Sequence, residues 1–227
     1  MNTIRWGFEV VDMWRTDWVR QRANVAAELA RGHCGGSYGD AALILCSCIS
    51  ALAAEVWPGE SIDRKRFVEL LIQYTPAQLA ATRVSVPLLV SDLRSLHMPE
   101  ATQIESDFLA QFNVGQVLTG DELDRSEDEI RAACNAGLSY RYLRGLSYAG
   151  LLYREVRCGY THEGRPGPTA QSWAMTGHPT ACISYVNTIG HSRSIHFHID
   201  WIANLALTAA EAVDQLTPPL PHPGVVG

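Results

Sequence analysis

Between Asp40 and Val56 the chain carries Ala41, Leu43, Ile44, Leu45, Ile49, Leu52 and Ala53, a helical pattern that is apolar nearly all round. Such a helix has no face to give to water, so it belongs at the centre of a bundle or in an interface. Trp57-Pro58-Gly59 ends it, because proline cannot continue a helix and glycine takes the terminal turn. Other helices must therefore be wrapped around this one.

Candidates for that role are spread along the chain. Residues 8 to 31 read as an amphipathic helix with Val10, Val11, Trp14, Trp18, Val25, Ala26 and Leu29 on its core face. Asp63 to Tyr74 is a shorter helix opened by Arg64, Lys65 and Arg66. Three cations at a helix N-terminus oppose its dipole and call for an acidic neighbour or a bound phosphate. Residues 84 to 93 fit a strand, or a helix starting after Pro87. Residues 99 to 137 have a thin apolar pattern and read as an acidic insertion, with a polar helix beginning at Thr119-Gly120. Helical periodicity returns from Leu138 to Cys158, and Trp201 to Leu216 closes the fold.

Between those last helices, residues 181 to 199 predict a β-hairpin turning through Gly190. Alternation in Ile195-His196-Phe197-His198-Ile199 predicts a half-buried strand. His196, His198 and Asp200 then share a polar side, a spacing open either to a divalent metal or to simple solvation. The expected fold is mainly α with a small β-hairpin before the last helix. Its parts are an N-terminal helix and linker (1–36), a main domain (37–217) and a disordered tail (218–227).

The net charge of −6 argues against indiscriminate binding to nucleic acid through a global positive field. Locally, however, Arg141, Arg144, Arg154, Arg157 and Arg165 face only Glu155 and Glu163, which makes either a phosphate-reading strip or a solvated helix face. The six cysteines have neither zinc-finger nor Cys-x-x-Cys spacing. No signal peptide and no uninterrupted apolar run of about 20 residues is present, so a cytoplasmic protein with free thiols is expected, with no membrane partner.

The chemistry concentrates at Arg154-Glu155-Val156-Arg157-Cys158-Gly159-Tyr160-Thr161-His162-Glu163. Arginine offers a permanent planar cation for phosphate, and histidine moves protons near neutral pH. Together they can cleave a phosphodiester without metal or cofactor. Five residues of ideal helix turn through about 140°, so Arg157 and His162 would not share a face. Either Gly159 lets the helix end and His162 swing back, or two subunits share one site.

This Arg-x4-His spacing at the end of a long helix resembles the HEPN superfamily, whose signature is Arg-x4-6-His. The resemblance covers the helices at 40–74 and 138–216. It implies a helical bundle that dimerises to face two motifs across one groove, and an endoribonuclease with Arg157 and His162 as catalytic residues. It also implies an acidic residue on the apolar helix that orients the motif, for which Glu55 fits; the alternative is an exposed helix-end residue. Arg144, Arg154 and Tyr160 are the residues expected to hold RNA. Cys158 departs from the pattern, since many active members carry Asn, Asp or His after the arginine. That departure keeps open a non-catalytic module binding a nucleotide or a protein partner. Analogy with toxins and antiphage effectors adds an antitoxin or regulatory partner.

Overall fold

The computed structural model describes residues 13–113, 116–135, 137–172, 183–187, 193–218 and 220. Val10, Val11, the start of the hairpin at Ala181-Cys182, its turn at Gly190 and the tail from Pro221 lie outside them. In chain order come α1 (Trp14–Ala30), α2 (Tyr38–Val56), α3 (Asp63–Tyr74), α4 (Val86–Ser95) and α5 (Glu100–Phe108). Strand β1 (Leu118–Thr119) leads into α6 (Gly120–Leu123), α7 (Glu127–Ala133), α8 (Tyr140–Gly145) and α9 (Tyr148–Leu151). A π-helical segment (Leu152–Cys158) continues α9 into α10 (Gly159–Glu163), before β2 (Ile183–Asn187), β3 (Arg193–Phe197) and α11 (Ile199–Asp214).

The protein is mainly helical with one small antiparallel sheet. Helix α2 is its axis, packed by α1, α3, α11 and the π segment, with Ala41, Leu45, Cys46, Ile49, Leu52, Ala53 and Val56 buried. Its 19 residues reach a mean hydropathy of 1.6, enough by length and composition to cross a bilayer, but most of that surface is enclosed by protein. Ser37 and Asp40 form a reciprocal capping box at its start.

Helix α1 turns Ala26, Trp18 and Leu29 of its expected face to the core, but departs from it elsewhere. Thr16, Val19 and Ala26 are buried, while Trp14 and Val25 are exposed. The buried carboxylate of Asp214 holds Thr16 at the start of the helix inward, accepting from Thr16 N at 3.0 Å and Thr16 Oγ1 at 2.6 Å. An acid at a helix N-terminus satisfies amides that have no partner within the helix.

The ambiguous stretch after Val84 is helical. Ser85 caps α4 from outside and Pro87 sits in its first turn, where a missing N–H costs nothing. The acidic segment supplies β1 and buries Ile104, Leu118, Leu123 and Ile130, so it is woven into the core. Its expected helix is split into α6 and α7, because Asp124 leaves the helix to become fully buried, its Oδ1 accepting from Val86 N at 3.0 Å.

The sheet runs β1-β2-β3, with Leu118 opposite Tyr185 and Ile183, Ser184 and Tyr185 opposite Phe197, His196 and Ile195. The reading of β3 as half-buried is overturned, because Ser194, Ile195, His196 and Phe197 are all buried. One edge is closed by the chain around Ala170, which bridges Ile195 in parallel: Ile195 N donates to the Thr169 carbonyl at 2.9 Å and Gln171 N donates to the Ile195 carbonyl at 3.0 Å. Tyr38 covers His196 at a centroid distance of 5.1 Å.

Candidate active site

The motif rides on one uninterrupted helical rod from Tyr148 to Glu163. Its middle is π-helical, with i→i+5 hydrogen bonds, a rare geometry that tends to occur at functional sites. In this register Tyr153 lies beneath both Arg157 and Cys158. The Arg157 guanidinium is 5.3 Å from the Tyr153 ring centroid. Burial pushes the Tyr153 hydroxyl above its usual range, and its hydrogen bond to Cys158 adds to that.

Gly159 does not break the rod. Its φ of −56° is helical, and the turn comes only at Gly164, whose φ of 66° is left-handed. Gly159 serves close approach instead: a Cβ there would stand 2.6 Å from the Arg165 carbonyl oxygen and 2.8 Å from Gly167 N. His162 therefore does not swing back through a frayed end. It projects into solvent from α10, while Arg157 is half-buried against Tyr153. Among the described residues neither side chain has an ion-pair partner.

The loop after the motif is tied down by Glu155, read from the sequence only as a counter-charge to the arginines. Its side chain is 4% exposed and accepts from Arg154 Nε at 2.5 Å and Thr169 N at 3.2 Å, while its backbone carbonyl accepts from Gly167 N at 2.7 Å. An acid inside the Leu-Tyr-Arg-Glu-Val run was the available signal.

Glu55 does not reach the motif. The rod runs antiparallel to α2: Tyr160 packs on Gly39 near the start of α2, and the charge of Arg157 is felt at Cys46. Glu55 lies nine residues beyond Cys46, about 14 Å further along the helix. There its Oε1 accepts from Arg15, whose guanidinium also reaches Asp214. Burial dominates at Cys46, pushing its thiol up to about 12 despite the nearby guanidinium.

No protein-family model, no curated protein and no solved structure matches the chain. What the site can do is read from its own side chains.

The residues expected to hold RNA separate into three environments. Arg144 is held between carboxylates, donating to Glu69 Oε1 at 3.1 Å and lying 3.7 Å from Glu127 Oε1, so it is not offered to a ligand. Tyr160 is half-buried against Tyr38, at a centroid distance of 6.2 Å; burial raises its hydroxyl pKa. Arg154 lines an open pocket of about 390 Å³ with Arg64, Asp92, Ser139, Arg141, Tyr142, Gly145 and Leu146.

His196, His198 and Asp200 do not share a polar side. The two rings are buried, 4.6 Å apart, with His196 Nδ1 3.1 Å from the Gln171 carbonyl and His198 Nε2 3.1 Å from Ser184 Oγ. Asp200 is exposed on the first turn of α11. Burial pushes His196 below the usual imidazole range. Among the described residues no three His, Cys, Asp or Glu side chains gather to hold a metal.

Proposed function

We propose that the protein is a cytoplasmic, metal-independent endoribonuclease of HEPN type, acting as a homodimer whose two Arg157–His162 helices face one cleft. The observation that carries this reading is an arginine and a histidine, neither of them ion-paired among the described residues, on one clamped helix end. A rigid rod that keeps the two side chains on different faces favours a site completed by a second subunit. Free thiols at Cys34, Cys46, Cys48, Cys134 and Cys158 suit a reducing compartment.

In the proposed reaction His162 removes the proton of a ribose 2′-hydroxyl, and that oxygen attacks the adjacent phosphorus. Arg157 stabilises the charge gathered on the phosphoryl oxygens. The partner's His162 protonates the departing 5′-oxygen, leaving a 2′,3′-cyclic phosphate and a 5′-hydroxyl. DNA lacks the nucleophile and is inert. By analogy with toxin-like members, an antitoxin or regulatory partner would restrain the activity.

A second reading, a non-catalytic module binding a nucleotide or a protein, is favoured by Cys158. That residue faces Tyr153 where a polar group would assist the arginine. The two readings separate in one assay: purified dimer with fluorescent RNA and its DNA counterpart in EDTA, beside Arg157→Ala and His162→Ala. RNA-only cleavage abolished by either substitution supports the nuclease. No cleavage from a verified dimer moves the assignment to the binding module.

A further inference from the structure

We propose that the pocket framed by α3, α4, α8 and the π segment is a binding site for a terminal phosphate monoester, held by Arg64, Arg141 and Arg154. The proposal does not depend on the nuclease reading, because none of these side chains belongs to the Arg157–His162 pair.

The pocket brings three guanidinium groups to about 390 Å³ of space, with Asp92 the single carboxylate in its wall among the described residues. Asp92 is already engaged, its Oδ2 accepting from the Tyr142 hydroxyl at 2.5 Å. Several arginines elsewhere are matched to acids, Arg15 to Glu55 and Asp214, Arg66 to Asp63, Arg83 to Asp121, Arg94 to Glu105 and Arg144 to Glu69, and Arg125, Arg131 and Arg193 donate to backbone carbonyls. Among the described residues Arg64 and Arg141 have no such partner, and Arg154 uses Nε alone, toward Glu155. Asp92 and Glu155 set two negative charges against three guanidinium groups, so the cluster keeps a net positive charge that attracts an anion.

The start of α3 makes the same point. Its opening cations call for compensation, and Arg66 finds it in Asp63 and in the carbonyls of Trp57 and Gly59. Arg64 instead turns to the pocket, into space that Gly145 leaves open; a Cβ on Gly145 would come within 3.2 Å of its Nη2.

A phosphate monoester carries about −1.5 to −2 at pH 7 and three acceptor oxygens, which suits three planar donor forks. A carboxylate or a phosphodiester offers only two unesterified acceptor oxygens and meets fewer of the three forks. Free nucleotide and a phosphorylated RNA end share this chemistry.

The test is thermal shift and calorimetry on the full chain in EDTA, with adenosine monophosphate, inorganic phosphate, adenosine, and a short RNA with either a 5′-phosphate or a 5′-hydroxyl. Adenosine monophosphate and inorganic phosphate should bind and raise the Tm while adenosine should not, and on the uncleaving His162→Ala protein the 5′-phosphate RNA should bind more tightly than its 5′-hydroxyl counterpart, a difference that Arg64→Ala removes. Arg64→Ala or Arg141→Ala should weaken binding about ten- to hundred-fold. Binding should also fall as pH drops below about 6, where the dianion is lost. Binding of the monophosphate without the phosphorylated RNA identifies a free-nucleotide site; binding of both admits RNA ends.

Without ligand, Arg64→Ala and Arg141→Ala should leave the Tm unchanged or higher, whereas Arg144→Ala lowers it. Three results would overturn the proposal: no phosphate-bearing probe binding at millimolar concentration, adenosine binding as well as its monophosphate, or Arg64→Ala and Arg141→Ala destabilising the ligand-free protein as Arg144→Ala does.

Discussion

The Tyr185 hydroxyl donates to Oδ2 of Asp124 at 2.6 Å, joining β2 to the junction of α6 and α7 inside the core. Tyr148 donates to the same oxygen at 2.6 Å, and Val86 N donates to Oδ1 at 3.0 Å. Burial pushes the Asp124 carboxyl up to about 7 from an ordinary 3.8, against the pull of those hydrogen bonds.

Between those values the native chain holds a proton that the unfolded chain has released. This group therefore favours the fold most at low pH, and its contribution is lost as pH rises from about 4 to about 7. Asp124→Asn, which stays neutral, should remove that dependence. The change in denaturant midpoint from pH 5 to pH 8 should then shift toward greater stability at high pH than in the wild type. Asp124→Ala strands three buried donors and should cost about 3 kcal/mol or more at either pH.

Arg144 separates structural from ligand-facing arginines. Its partner Glu69 has a side chain only 8% exposed, so Arg144→Ala leaves a buried carboxylate without a counter-charge. A loss of about 3 kcal/mol is expected in urea unfolding. Arg165→Ala, whose exposed pair with Glu163 is screened by water, should change stability by less than about 0.5 kcal/mol. Equal losses from the two would contradict this assignment.

What the sequence made legible follows from which forces are local. The all-round apolar run of α2 and the stop at Trp57-Pro58-Gly59 depend on spacing and on proline and glycine, and the structure has them; the helix expected from Leu138 to Cys158 is instead broken after Gly145, where Ser147 caps a new start. The parts that were not legible depend on partners far along the chain. Asp214 draws Thr16 into the core from 198 residues away. Asp124 looks like one more charge in an acidic run until Tyr148 and Tyr185 enclose it. The burial of β3 comes from Tyr38 and the Ala170 segment, which alternation within the strand cannot reveal. In the site, spacing placed the motif at a helix end but left open whether Gly159 stops the helix before His162, and could not show that Gly159 continues it, that Glu155 clamps the loop, or that Arg154 turns to a pocket with Arg64 and Arg141.

Gly159→Ala tests whether this glycine serves close packing or flexibility. In an exposed helix the change would stabilise by about 1 kcal/mol. Here the new methyl meets backbone atoms of Arg165 and Gly167 at 2.6 Å and 2.8 Å, which cannot rotate away. The expected result is a loss of about 1–3 kcal/mol, with faster amide exchange in residues 165–169 as the loop lifts from Glu155. A gain in stability would mean that the loop does not pack on the rod.

Glu55 is expected to matter for folding and not for cleavage. Its carboxylate accepts from Arg15 Nε at 3.0 Å at the far end of α2 from the motif, and that hydrogen bond is the main reason the Arg15 pKa is raised. The Glu55 side chain is 34% exposed, so Glu55→Ala should cost only about 1 kcal/mol. Arg15→Ala should cost more, because the Asp214 side chain it also serves is fully buried. RNA cleavage, if measured under conditions where both variants remain folded, should stay within about twofold of wild type. A Glu55→Ala protein that melts normally but has lost cleavage would place this carboxylate in the chemistry, and would require the two subunits to bring opposite ends of α2 to one site.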